Sequence, residues 1–165
     1  GTGVILAGAM RGMHVPGAIA SAVKCMDTSN ALSVEILRNY GVNALTDVTG
    51  FGLLGHLSEI LRGSDCGVSL HLNDIPLLPG ALLMAKQGIA SSLQASNALA
   101  LADFTLATDL DTEILALLSD PQTSGGLLAS VPAHQADSCL TALRVQQIEA
   151  AMIGEIVPSS TRRIS

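Results

Sequence analysis

Apolar positions along this chain recur in two periods, and each period predicts an element. Val68, Leu70 and Leu72 alternate with Ser69 and His71, the period of two of a half-buried strand. From Ala31 onward, Ala31, Val34 and Leu37 follow helical spacing, with Thr28, Ser29 and Asn30 ahead as N-cap types and Gly41 as the stop. Leu53, Leu57 and Ile60 mark one face of a helix over 53–61, closed by Gly63 and preceded by a turn at Gly50–Gly52. Apolar runs predict strands at 4–7, 42–48, 127–131 and 148–157, the last interrupted by Gly154. An Ala-rich helix follows Val15-Pro16-Gly17 and reaches Met26, and further helices are predicted over 79–87, over 112–118 with Asp111 or Thr112 as cap, and between Pro132 and Arg144. The polar stretch 91–97 reads as a loop and the best candidate for a mobile segment, 98–106 fits neither period, and the chain after Pro158 is expected to fray. The order β, α, α, β, α, β, α, α, β, α, β is not strict alternation, and paired helices between strands favour an α+β layer fold over a doubly wound sheet. No internal repeat, low-complexity tract or inter-domain linker interrupts it.

Composition narrows the class without naming a chemistry. A chain of 165 residues is one domain with room for a core. Eight basic against 14 acidic residues leave a net charge of −6, and the aromatics are only Tyr40, Phe51 and Phe104, a poor basis for gripping a phosphate backbone or stacking bases. At 48% hydrophobic and 13% charged the chain is not disordered, and no apolar stretch approaches the ~18 residues of a membrane span. Cys25, Cys66 and Cys139 lie far apart, which argues against a disulfide framework or a zinc knuckle and fits a reducing, cytosolic setting. Gly1-Thr2-Gly3-Val4-Ile5-Leu6 has neither the basic start nor the cleavage site of a signal peptide, and no initiator Met; it reads as a Gly-rich approach to a strand in a chain entered partway.

Chemistry concentrates in two glycine-rich stretches. Gly50-Phe51-Gly52-Leu53-Leu54-Gly55 spells G-x-G-x-x-G between an expected strand and an expected helix, and Asp74 follows Gly55 by 19 residues. That satisfies the formal dinucleotide fingerprint, so an NAD-type dinucleotide-binding oxidoreductase domain is one reading. Against it, the first strand of such a fold is nearly all apolar, whereas Thr46, Asp47 and Thr49 crowd this strand end. A carboxylate three residues before the first glycine repels a bare diphosphate unless a divalent cation lies between them. Asp47 thus shifts the reading toward a metal-bridged phosphate, because magnesium takes one or two carboxylates plus phosphate oxygens. The local sequence equally suits a turn or capping carboxylate at Asp47.

The second stretch, Ser119-Asp120-Pro121-Gln122-Thr123-Ser124-Gly125-Gly126, is a long polar loop in which Thr123, Ser124 and the glycine amides either line an anion or make a demanding turn. His56 either contacts substrate or a neighbouring domain, or is an ordinary helix histidine. His14, His71 and His134 lack metal-ligand spacing, Lys24 and Lys86 lie in no P-loop pattern, and no G-x-S-x-G elbow occurs. No nucleophile or general base stands out.

Together these motifs are more specific than any one of them. Thr46-Asp47-Val48-Thr49-Gly50-Phe51-Gly52-Leu53-Leu54-Gly55-His56-Leu57 closely resembles a signature of the selenophosphate synthetases (selenide, water dikinases), in the aminoimidazole-ribonucleotide-synthetase-like superfamily. Asp120-Pro121-Gln122-Thr123-Ser124-Gly125-Gly126-Leu127-Leu128 resembles a second signature of that family. Gly1-Thr2-Gly3 is similar to the start of the family's C-terminal half, Met26 with Ser29-Asn30 to the helix before the first signature, and Ile153-Gly154-Glu155-Ile156 to its last strand.

The resemblance implies an α+β fold of α/β/α layers, with a mixed sheet of partial ferredoxin-like topology. It implies one C-terminal domain over 1–158, belonging to a longer two-domain cytoplasmic homodimer, with 159–165 as tail. It implies an enzyme that makes selenophosphate, AMP and orthophosphate from ATP, selenide and water with Mg2+, and that has no direct nucleic-acid or membrane partner. Asp47 then matches the family's C-terminal magnesium aspartate, and Thr46, Thr49, Gly50 and Gly52 are its candidate cofactor-binding neighbours. The family's catalytic Cys or selenocysteine, catalytic Lys and remaining metal aspartates belong to an N-terminal half. No catalytic residue is therefore expected here, Cys25 and Lys24 lie in the wrong motif for those roles, and the fragment is expected to be inactive alone. A non-catalytic interaction module, whose glycine loops only turn, is the third reading.

Overall fold

The computed structural model describes every residue except Ser159. Among the described residues two separate sheets organise the fold. Strand β1 (Ala44–Asp47) pairs antiparallel with β4 (Leu127–Ser130), placing Asp47 opposite Leu127. The second sheet has the order β3-β6-β2-β5, formed by β2 (Gly67–Leu70), β3 (Thr105–Leu106), β5 (Gly154–Val157) and β6 (Arg162–Ile164). It is mixed: β2 runs antiparallel to β5 and parallel to β6, and β6 runs parallel to β3. With helices packed around both sheets, this is the expected α+β class.

Among the described residues three apolar clusters hold the fold together. In the first, Leu54, Leu57 and Leu61 form a helical stripe on α4 (Gly52–Ser64) and meet Val68 and Leu70 of β2, Ile164 of β6, Phe104 and Leu118. Each fully buried leucine of this kind contributes roughly 2 kcal/mol. The second joins Val4 and Ile5 of α1 (Thr2–Met10) to Ala18 and Ala22 of α2 (Ala18–Asp27) and to Ala81 and Met84 of α5 (Ala81–Lys86). The third packs Leu37 of α3 (Ala31–Arg38) on Cys139 and Leu143 of α8 (Ala136–Val145), against Leu45, Leu127 and Ala129 of the two-stranded sheet. Burial there pushes the Cys139 thiol above its ordinary range. Helix α7 (Thr112–Leu117) starts at the expected cap: the Asp111 carboxylate accepts from the Glu113 and Ile114 amides at 3.0 and 2.9 Å.

The structure differs from the sequence-based expectation at several places. Residues 4–7, expected as a strand, lie in α1. A short apolar run has no period to separate strand from buried helix, and here α2 and α5 cover it while the 120–122 loop satisfies its first amides. The strand expected over 148–157 is confined to β5, starting at Gly154. The stretch 91–97 contains a short helix, α6 (Gln94–Asn97), rather than only loop, and a 3₁₀ turn follows over Ala98–Asp103. The tail expected to fray over 159–165 instead supplies β6 between β2 and β3, with Ile164 fully buried; Ser159 lies outside the described residues. Three residues are too few to display an alternating pattern, so its ladder partners, rather than its own sequence, define that strand. Among the described residues no helix is long and apolar enough to cross a membrane.

Candidate functional site

Strand β1 ends at Asp47, whose side chain is exposed. Among the described residues its carboxylate has no hydrogen-bond or ion-pair partner, and α4, the helix just beyond, has no side-chain cap. The capping alternative for Asp47 is therefore not what the fold builds. The Thr46 hydroxyl donates to the Asp47 carbonyl at 3.2 Å.

The backbone carrying Asp47 is held from several sides. The Val48 amide donates to the Gly126 carbonyl at 2.9 Å, continuing the β1–β4 pairing into the second glycine loop. The Thr49 carbonyl accepts from the amides of Gly52 and Gln122, both at 3.0 Å. The Thr49 amide donates to His56 Nε2 at 3.0 Å, and Thr49 Oγ1 lies 3.1 Å from the same nitrogen. Asn97 Nδ2 donates to the Gly50 carbonyl at 2.8 Å and to the Ser119 carbonyl at 3.1 Å, joining both glycine loops.

The glycines of the first loop have different tasks. Gly52 is buried at φ +69°, and a Cβ there would meet the Leu118 carbonyl oxygen at 2.9 Å, so it allows α4 to start against the 118–120 backbone. Gly50 is exposed, with nothing within 4 Å of an added Cβ. A Cβ on Gly125 would strike the Val48 carbonyl, which is how the two loops lie back to back. Of the four candidate neighbours of Asp47, Thr49 and Gly52 thus have their amides committed within the fold, Thr46 turns its hydroxyl to the backbone, and Gly50 leaves the approach open.

The second loop is a brace. Asp120 is fully buried, and its Oδ2 accepts from the Val4 amide at 3.1 Å and from Gln122 Nε2 at 3.2 Å. Gln122 Oε1 accepts from the Thr2 amide at 3.2 Å, the Pro121 carbonyl accepts from the Gly3 amide at 3.2 Å, and the Thr123 amide donates to Thr2 Oγ1 at 3.1 Å. The loop therefore caps α1, and of the two readings of this stretch, anion lining or a demanding turn, the Thr123 amide follows the second, since it faces Thr2. Asn30 Nδ2 secures its far end by donating to the Gly125 carbonyl at 3.0 Å.

Among the described residues no group of three or more His, Cys, Asp or Glu side chains could hold a metal ion. A lone exposed carboxylate with free coordination capacity nonetheless fits magnesium, which binds through one or two carboxylates plus phosphate oxygens. Asp47 alone supplies one such ligand, and the described residues do not make a full coordination set. The dinucleotide reading fails on topology. β1 and β2 lie in different sheets, so no βαβ unit surrounds the glycines, and Asp74 sits in a 3₁₀ turn with its carboxylate 3.4 Å from His71 Nδ1.

The sequence reading passed over Asn97 and left His56 open. Asn97 lies 47 residues from its Gly50 partner, and only the fold brings them together.

Residues 17–164 match the family described as AIR synthase related protein, C-terminal domain. The chain is 38% identical over 159 residues to a selenide, water dikinase of Myxococcus xanthus (strain DK1622), covering 94% of this chain and 45% of that protein. It is 40% identical over 144 residues to a selenide, water dikinase of Shewanella sp. (strain MR-4), covering 87% and 40%. The chain thus spans less than half the length of these curated relatives. In structure it is similar to E. coli HypE, with a TM-score of 0.71, 21% identity and coverage of 99% of this chain and 42% of that one. It is also similar to thiamine-monophosphate kinase from Stenotrophomonas maltophilia K279a, with a TM-score of 0.65, 13% identity and coverage of 99% and 46%. At those identities the structures speak for the fold alone, and they agree with the α+β layers described above. With a profile match over nearly all its residues, the chain belongs to the C-terminal domain family of AIR synthase related proteins.

Proposed function

We propose that this chain is the C-terminal part of a selenide, water dikinase, an enzyme that makes selenophosphate from ATP, selenide and water and releases AMP and orthophosphate. The observation that carries the proposal is Asp47: an exposed carboxylate without a partner among the described residues, on a turn held through Val48, Thr49 and Gly50. The identities of 38% and 40% to selenide, water dikinases support the choice of reaction.

Phosphoryl transfer asks a protein for alignment and charge neutralisation more than for covalent chemistry. Mg2+, when bound, supplies the neutralisation, since a chain of net charge −6 cannot itself cradle the phosphates of ATP. In this proposal Asp47 gives one ligand to that ion. The rigid backbone from Val48 to Gly52 fixes where the carboxylate stands, and Gly50 leaves room for a phosphate to come close. Thr46, Thr49 and Gly52 form the wall behind it. No residue of this chain acts as nucleophile or base. Those groups, the rest of the metal ligands and most of the nucleotide contacts come from an N-terminal domain in a cytoplasmic homodimer, and this chain alone is inactive.

Phosphorus NMR on the full-length protein, with ATP, magnesium and anaerobic selenide, tests the proposal. AMP and a selenophosphate resonance, both dependent on selenide, are the expected result. A folded full-length protein with no selenide-dependent turnover would leave the two glycine loops as scaffold.

A further inference from the structure

We infer that His56 is the positioning residue for Asp47: through Nε2 it holds the Thr49 amide, and with it the turn that presents the carboxylate. The inference rests on the role proposed above for Asp47 and adds the residue that keeps it in place. His56 lies on α4 with its side chain 9% exposed, which removes it from the list of groups that reach substrate. Its Nε2 accepts the Thr49 N–H at 3.0 Å. An imidazole nitrogen that accepts an N–H carries no proton, so the ring hydrogen sits on Nδ1. Nδ1 faces Glu59 Oε2 at 3.4 Å without a hydrogen bond, and the ring lies tilted at 5.8 Å, centroid to centroid, from Phe51.

The ties on Thr49 and Gly50 other than His56 reach carbonyl groups: that of Thr49, held by the Gly52 and Gln122 amides, and that of Gly50, held by Asn97; the Val48 amide is held separately by the Gly126 carbonyl. His56 supplies the acceptor for the Thr49 amide. Without it the part-buried Thr49 N–H loses its partner in the fold, and the turn is free to shift toward another. Asp47 stands two residues upstream on the same backbone, so a shift at Thr49 that passes through Val48, itself tied to the Gly126 carbonyl, moves the carboxylate.

Two variants of the full-length protein separate positioning from mere packing. His56→Gln places an amide oxygen near the position of Nε2, whereas His56→Phe keeps the ring and removes the acceptor. The expected result for His56→Phe is a magnesium concentration for half-maximal AMP formation raised about tenfold, with exchange of the Thr49 amide hydrogen accelerated by a similar factor. His56→Gln stays within about threefold of the parent on both. Unchanged magnesium response and unchanged Thr49 exchange in His56→Phe would overturn the inference. So would a loss shared equally by both variants, with lower melting temperature and an unmoved magnesium half-point. If the parent protein has no selenide-dependent turnover, the role proposed for Asp47 falls, and Thr49 exchange in the two variants still decides whether His56 holds the turn. If His56→Phe does not fold, nitrogen NMR of His56 in the parent decides: an unprotonated Nε2 is expected, and a proton on Nε2 would overturn the inference.

Discussion

The carboxylate of Asp120 lies 3.1 Å from the amide nitrogen of Val4, a bond spanning 116 residues. It brings the second glycine loop onto the first turn of α1, where helix amides have no partner within the helix and the dipole favours negative charge. A fully buried carboxylate needs such donors. Asp120→Ala is expected to destabilise the fold by about 3 kcal/mol, since it opens a buried site and leaves the buried Val4 amide unpaired. Asp120→Asn keeps an acceptor and costs less than half of that. Urea denaturation of both variants checks the order, and a loss below about 1 kcal/mol in Asp120→Ala would contradict the brace.

The two glycines of the first turn respond in opposite ways to alanine. Gly52→Ala puts a Cβ 2.9 Å from the Leu118 carbonyl at φ +69° and is expected to cost at least about 2 kcal/mol. Gly50→Ala meets open space and is expected to change stability by under about 0.5 kcal/mol. In the full-length protein it is nevertheless expected to lower turnover, because under the proposed function its methyl group stands where a phosphate approaches. Thermal melting paired with an ATP titration separates these effects, and an unaltered titration in Gly50→Ala would remove that glycine from the site.

Asp103 joins three parts of the fold at the surface. It accepts from Arg62 of α4 at 2.8 Å and from Arg162 of β6 at 3.3 Å. The hydrogen bond from Arg62 leads in holding its carboxyl below the ordinary range, with the charges of both arginines adding to it. The folded state therefore binds fewer protons than the unfolded chain as the carboxyl titrates. Its contribution is full above the ordinary carboxylate range and is lost as pH falls through the depressed folded value. Asp103→Asn is expected to lower the melting temperature at neutral pH by about 1–3 °C, modest because the pairs are exposed. The gap to the parent closes in acid and narrows in high salt. A gap that persists at a pH where Asp103 is protonated would show that packing, rather than charge, is responsible.

Much of this could be read before the fold was known, for identifiable reasons. The helix over 53–61 and the alternation of Val68 and Leu70 are periodic, and both elements lie where the pattern places them, although the buried stripe of α4 is Leu54, Leu57 and Leu61 rather than the expected Leu53, Leu57 and Ile60. The Asp111 cap is local in sequence and was equally legible. The misread elements are those whose partners are remote. α1 is an apolar helix without a polar face, covered by neighbours and capped from residues 120–122. β6 has three residues and is defined by its pairing with β2 and β3. The same division holds at the site. Asp47 and Gly50 were visible because a motif carries them. Asn97 was not, because its role is to bridge Gly50 and Ser119 across the fold.

The central claim is that Asp47 holds magnesium against the phosphates of ATP, and Asp47→Asn in the full-length protein tests it most directly. The substitution keeps the side-chain size and removes a charge that no hydrogen bond or ion pair of the described fold uses. Stability is therefore expected to stay within about 0.5 kcal/mol of the parent. Selenide-dependent AMP formation, followed by phosphorus NMR across a magnesium titration, is expected to fall by about 10²–10³-fold. The same turnover and the same magnesium dependence in a folded Asp47→Asn protein would contradict the account.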